Sequence, residues 1–136
     1  ENIKIEIGSA FPLKEELRMQ IKGRDLVTGL PRTIEITSEE IRDALKEPLI
    51  TIIDAIKDTL ERTPPELSAD IMDRGIILAG GTSQLKGLDE RLRTETGLPV
   101  NVADDPMTCV VLGSGRLLDG SMELLKKLTI YEREYF

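Results

Sequence analysis

The run Gly75-Ile76-Ile77-Leu78-Ala79-Gly80-Gly81-Thr82-Ser83 constrains the fold of this chain more than any other segment. Apolar residues bounded by glycine predict a short strand buried on both faces, and the paired glycines behind it mark a tight turn or a close approach of backbone to another group. Ser83 is placed to cap a following helix, Leu85, Leu88 and Leu92 repeat at helical spacing, and Gly97 stands where a left-handed residue would end it. Strand, glycine loop and helix in that order put the loop at the carboxyl end of a strand, where α/β sheets receive ligands. The same order also serves as a plain tight connection. The familiar phosphate motifs are absent: Lys86 precedes Gly87 with no hydroxyl residue after it, and Gly80 and Gly81 are adjacent, so neither the Walker loop nor G-x-G-x-x-G is matched.

The flanking segments supply the rest of an α/β pattern. Glu1 to Ala10 is ambiguous, because Ile3, Ile5 and Ile7 alternate like a strand while Ile3, Ile7 and Gly8 suit the end of a helix. Leu17, Met19 and Ile21, then Ile34 and Ile36, predict two antiparallel strands joined by a loop from Gly23 to Arg32. Thr37-Ser38-Glu39-Glu40 forms a capping box, and Ile41, Leu45, Leu49, Ile52, Ile53, Ile56 and Leu60 continue one apolar stripe to Glu61. Pro48 lies inside that run. A break there, and with it a lobe boundary, is the expectation, since an interior proline costs about 3 kcal/mol; one bent helix is the alternative.

Thr63 is expected to cap a short helix with Pro64 in its first turn and Leu67, Ile71 and Met72 on its buried side. After the central strand and helix, Leu98 to Val102 reads as a second strand, paired in parallel because a crossover separates the two. Asp105-Pro106 should open another helix, whose interior Gly113-Ser114-Gly115 suggests close approach of a helix, backbone or ligand. Met122, Leu124, Leu125 and Leu128 suggest a last amphipathic helix, followed by a loose end from Tyr131 to Phe136.

Composition narrows the function. The formal charge of −7 with no concentrated basic run argues against a nucleic-acid surface, and aromatic residues are only 3%, too few for base-stacking platforms. With no histidine and a single cysteine there is no usual zinc set, no histidine base and no internal disulfide. Cys109 lies among Met107, Thr108, Val110 and Val111 and is assigned to the core. No apolar segment is long enough to span a bilayer, so direct membrane insertion by these residues is not expected. The length of 136 residues and a start without methionine suggest a processed chain or a piece of a longer one.

The stretch Asp70-Ile71-Met72-Asp73-Arg74-Gly75-Ile76-Ile77-Leu78-Ala79-Gly80-Gly81-Thr82, continued by Leu85-Lys86-Gly87-Leu88-Asp89, resembles the adenosine motif of actin-like ATPases. Within that superfamily it is similar to the bacterial rod shape-determining MreB family. Gly23-Arg24-Asp25-Leu26-Val27-Thr28-Gly29-Leu30-Pro31, Glu61-Arg62-Thr63-Pro64-Pro65-Glu66-Leu67 and Ala103-Asp104-Asp105-Pro106-Met107-Thr108-Cys109-Val110 resemble the same family in the same order.

The resemblance implies a partial actin-like, ribonuclease H-like α/β ATPase lobe with a small α+β outer subdomain. Residues 1–47 would form part of that outer subdomain, and residues 48–136 the later part of the actin-core subdomain with the interlobe helix. The opening segment would then be a helix ending at Gly8. Gly80, Gly81 and Thr82 would lie under the adenosine and α-phosphate of ATP or ADP, with Gln84 and Leu85 beside the base. Glu1 and Lys4 would reach the ribose and adenine. Thr82 stands where many relatives have a third glycine, which implies altered loop contacts. The two phosphate-binding hairpins and the acidic residue that orients the attacking water have no counterpart here, so this chain alone should not hydrolyse ATP, and Mg2+ belongs to the complete protein. The family implies self-association into filaments on the inner face of the cytoplasmic membrane, with wall-synthesis and membrane-linked cytoskeletal partners such as RodZ. Part of a small-molecule kinase sharing the fold, or a non-catalytic interaction module, is the alternative.

Overall fold

The computed structural model describes residues 1–120. The expected helix at Met122 to Leu128 and the end from Tyr131 to Phe136 lie outside the described residues. In chain order the elements are α1 (Asn2–Ile7), β1 (Arg18–Arg24), β2 (Pro31–Thr37), α2 (Ser38–Glu61), α3 (Pro65–Arg74), β3 (Ile76–Leu78), a 3-10 turn (Gly81–Gln84), α4 (Leu88–Thr96), β4 (Val100–Val102) and α5 (Cys109–Asp119). β1 and β2 pair antiparallel with Met19 opposite Ile36 and Ile21 opposite Ile34. The strands run further toward the turn than expected, leaving a loop of residues 25–30. Its compactness comes from the Asp25 carboxylate, which accepts from the N–H groups of Val27 at 2.9 Å and Thr28 at 3.0 Å. β3 and β4 pair in parallel, Ile76 opposite Val100 and Leu78 opposite Val102.

The capping box forms: Thr37 Oγ1 accepts from Glu40 N–H, and the Glu40 carboxylate accepts from Thr37 N–H at 2.8 Å. The helix it opens runs unbroken through Pro48. Leu45 and Leu49 before and after the proline, and Ile53 and Ile56 beyond it, pack into or against one core. Tertiary burial on both sides thus outweighs the lost backbone hydrogen bond, and the expected break does not occur.

That core joins α2 to α4 and β4: Leu49, Ile53, Leu88, Leu92 and Val100 meet Ala10, with Leu92 1% and Val100 0% exposed. A second, polar seam holds the outer part. Buried Ser38 Oγ accepts from Leu17 N–H at 2.8 Å and donates to Glu16. Glu16 accepts from Arg42 Nη2 at 2.6 Å, and Arg42 Nη1 donates to buried Ser9 Oγ at 2.9 Å.

The opening segment is a helix that ends at Gly8, in an extended conformation; its need is for space, since a Cβ there would collide with the Lys4 carbonyl oxygen. Several other local expectations are corrected. Thr63 does not cap α3: its hydroxyl donates to Thr59 O at 2.7 Å, closing the end of α2, and α3 begins at Pro65. Leu67 and Met72 are exposed rather than buried. Ile77 is 71% exposed, so β3 is covered on one face only. Cys109 is half-buried at the start of α5, outside the core cluster.

Candidate functional site

Gly75 sets the entry to the site. It closes α3 at φ 76°, and a Cβ there would lie 2.3 Å from Pro99 O, which itself accepts from Ile76 N–H at 2.8 Å. Only glycine satisfies both demands. β3 then delivers the chain to Gly80, also at positive φ, whose N–H donates to Pro106 O at 2.6 Å.

The segment after the glycine pair is not the directly capped helix expected from sequence. Ser83 Oγ donates back to Gly80 O at 2.6 Å, closing a 3-10 turn. Leu85 is extended, and the next residue bridges in parallel to Ser9. Gly87, left-handed at φ 72°, turns the chain into α4 in place of Ser83. Gly97 ends α4 in the left-handed conformation that the spacing anticipates. Asp105-Pro106 likewise precedes its helix by a turn: Asp105 O accepts from Thr108 and Cys109 N–H, and α5 begins at Cys109. The bond from Gly80 to Pro106 O holds that turn beside the glycine loop.

These connections enclose a cleft of about 460 Å³ lined by Gly81, Thr82, Gln84 and Leu85 from the turn, Glu1, Lys4 and Ile5 from the α1 side, Lys86, and Met107. Glu1, Lys4, Gly81, Thr82, Gln84 and Leu85 thus share one space. Gly80 does not line it and acts from behind by setting the turn. Ile5, Lys86 and Met107 were not among the residues singled out from sequence. Ile5 and Met107 are apolar side chains without a chemical signature, and Lys86 carried only its position beside the loop.

The cleft has two kinds of wall. Glu1, Lys4, Gln84 and Lys86 offer a carboxylate, two ammonium groups and an amide, while Ile5, Leu85 and Met107 offer flat apolar surface. A Cβ on Gly81 would stand 3.3 Å from Met107 Sδ, so the glycine keeps that wall open. An occupant with a planar apolar body and a polar, anionic rim fits this lining, and the volume falls within the ~300–1,000 Å³ usual for small-ligand sites. Among the described residues no group of three His, Cys, Asp or Glu side chains is placed to hold a metal ion, and no helix is long and apolar enough to cross a membrane.

This arrangement of parallel strands, glycine turn, packed helices and a small α+β outer part is that of a partial actin-like α/β domain. It superposes on the crystal structure of MreB 5 of Spiroplasma citri bound to AMPPNP with a TM-score of 0.81, at 37% identity over 96% of this chain and 38% of that one. The ADP-bound structure of the same protein gives 0.80, over 99% and 39%. In sequence, the chain is 52% identical to the cell shape-determining protein Mbl of Bacillus cereus over 127 residues, 93% of this chain and 38% of Mbl. It is 49% identical to the cell shape-determining protein MreB of Escherichia coli K12 over 119 residues, 88% of this chain and 34% of MreB. The sequence model of the MreB/Mbl protein family matches residues 1–126. The chain belongs to the MreB/Mbl family and spans a little over a third of the length of these relatives. That membership sets aside the small-molecule kinase.

Proposed function

We propose that this chain is the adenosine-holding part of a cell-shape protein that binds ATP and ADP and polymerises with ATP. The observation that carries this reading is the single cleft shared by α1 and the glycine turn. The backbone of Gly81 and Thr82 would run beneath the adenosine and α-phosphate, with Gly80 setting the turn from behind, and the absence of a side chain on Gly81 lets the ligand approach. Gln84 and Leu85 would flank the base, with Met107 and Ile5 adding apolar surface, while Glu1 accepts from ribose hydroxyls and Lys4 donates to the ribose and ring rim. Bound nucleotide would bring Mg2+ and the γ-phosphoryl group whose hydrolysis is the chemistry of the complete protein. This chain's contribution is to bind and orient, and hydrolysis would require groups converging from a second lobe. AMPPNP and ADP in the Spiroplasma citri structures support the ligand class.

We place the border between an outer subdomain, residues 1–47, and the core subdomain, residues 48–136, within α2 near Pro48, so that one helix links them. Filament formation, guidance of wall synthesis with membrane-linked partners such as RodZ, and a place at the inner face of the cytoplasmic membrane are proposed for the whole protein on family membership.

Isothermal titration of ATP, ADP and adenosine with Mg2+ into the chain tests the reading. Binding weakened at least tenfold by Gly81→Asp and clearly by Lys4→Glu, with no ATP turnover by the chain alone, is the expected result. A folded chain that binds none of the three, or one that turns over ATP robustly, overturns it.

A further inference from the structure

We propose that Lys86 is a positioning residue for the nucleotide cleft: it clamps α1 against the glycine turn, so that Glu1 and Lys4 stand across from Gly81 and Thr82. This deepens the nucleotide reading above and rests on it. Helix α1 packs against α2 and β1 with Ile7 buried, and anchors at its C-terminal end add to that hold. Its final carbonyl groups have no partner within the helix. Lys86 Nζ donates to one of them, Glu6 O, and so places a cation at the negative end of the helix.

The main chain of Lys86 holds the segment that leaves α1. Ser9 bridges in parallel to Lys86, and Ala10 N–H donates to Lys86 O at 2.8 Å. Ser9 and Ala10 are buried there, and the Phe11 Cβ would lie 2.8 Å from a Cβ on Gly87, so the seat admits glycine only. Residue 86 therefore grips both the end of α1 and the residues just beyond it. Gln84 and Leu85, immediately before Lys86, line the opposite wall. Lys86 thus bonds directly to both walls, while Arg42 holds Ser9 from α2.

Lys86 also borders the cleft, so a direct contact with phosphate has to be separated from positioning. The two roles differ in how they depend on the ligand. A phosphate contact would cost more affinity for ATP than for ADP, and little for adenosine. A clamp that orients Glu1 and Lys4 toward ribose and base would cost all three equally.

The test uses Lys86→Met, which keeps the apolar stem, and Lys86→Arg, which keeps the donor and charge. Affinities are measured by titration and α1 by amide hydrogen exchange without nucleotide. We expect Lys86→Met to weaken adenosine, ADP and ATP by one common factor of about threefold to tenfold, to speed exchange at Ile5 and Gly8, and to leave the melting temperature nearly unchanged. Lys86→Arg should restore both. Unaltered exchange in α1, an affinity loss that grows with phosphate number, or unaltered affinity where the parent chain binds each overturns the clamp while leaving the nucleotide reading intact. A folded parent chain that binds none of the ligands overturns both.

Discussion

The seam between α2, α4 and β4 and the exposed residues of β3 and α5 draw on the same kinds of side chain and end in opposite states. In the seam, leucine and valine are closed off completely. In β3 and α5, Ile77, Val110, Val111 and Leu112 are exposed, Leu118 is 84% exposed, and a Cβ at Gly113 or Gly115 would meet nothing within 4 Å. An apolar stripe therefore reports that a surface is to be covered, without saying by which part of a molecule. The small residues of α5, expected to admit a close neighbour, have none among the described residues.

Truncation would separate the two regions most sharply. Leu92→Ala should destabilise the chain by about 2–5 kcal/mol, the cost of emptying a fully packed position, whereas Leu118→Ala should change stability by no more than about 0.5 kcal/mol. Denaturant melts of the two variants test this, and equal losses would mean that α5 is packed as tightly as the seam.

Glycine substitutions give a smaller contrast, of opposite sign. Gly75→Ala should destabilise by about 1–2 kcal/mol from its positive φ alone, and by more from the approach of Pro99 O. Gly113→Ala, in a helix interior with open space beside it, should stabilise by about 0.4–1 kcal/mol. A destabilised Gly113→Ala chain, with its oligomeric state followed by sedimentation, would reveal a neighbour on α5.

Acidification probes the seam most gently. The Arg42 guanidinium and the Ser38 hydroxyl hold the Glu16 carboxyl below the ordinary glutamate range, and the Lys57 ammonium, with Arg91 beyond it, does the same for Glu95. Carboxylates with depressed folded values bind fewer protons folded than unfolded. Their stabilisation is complete above the ordinary range and is lost as the pH falls through the lower folded values. Thermal melts should therefore shift downward below about pH 4.5, by less in the Arg42→Met and Lys57→Met chains. An identical shift in all three would remove these pairs as the cause.

Much of the site could be read in the sequence because its constraints are local. The order of strand, glycine pair and helix, the capping box at Thr37 and the left-handed stop at Gly97 each depend on a few neighbouring residues, and the family resemblance named Glu1 and Lys4 together with the glycine turn. Met107 and Ile5 were not legible, because apolar side chains look alike whether they face a core or a cleft. Ser83 and Asp105 have the pattern of direct helix caps, yet each bonds within a turn stabilised by distant partners, Lys86 with Ser9 in one case and Gly80 with Pro106 in the other.

By itself the sequence determined most of the element types, the left-handed stop at Gly97 and the family to which the chain belongs, since each follows from backbone sterics or short-range pattern. Tertiary structure alone decided that α2 continues through Pro48 and that β3 leaves Ile77 uncovered. Those outcomes depend on which surfaces exclude water together, a long-range balance that no single segment encodes.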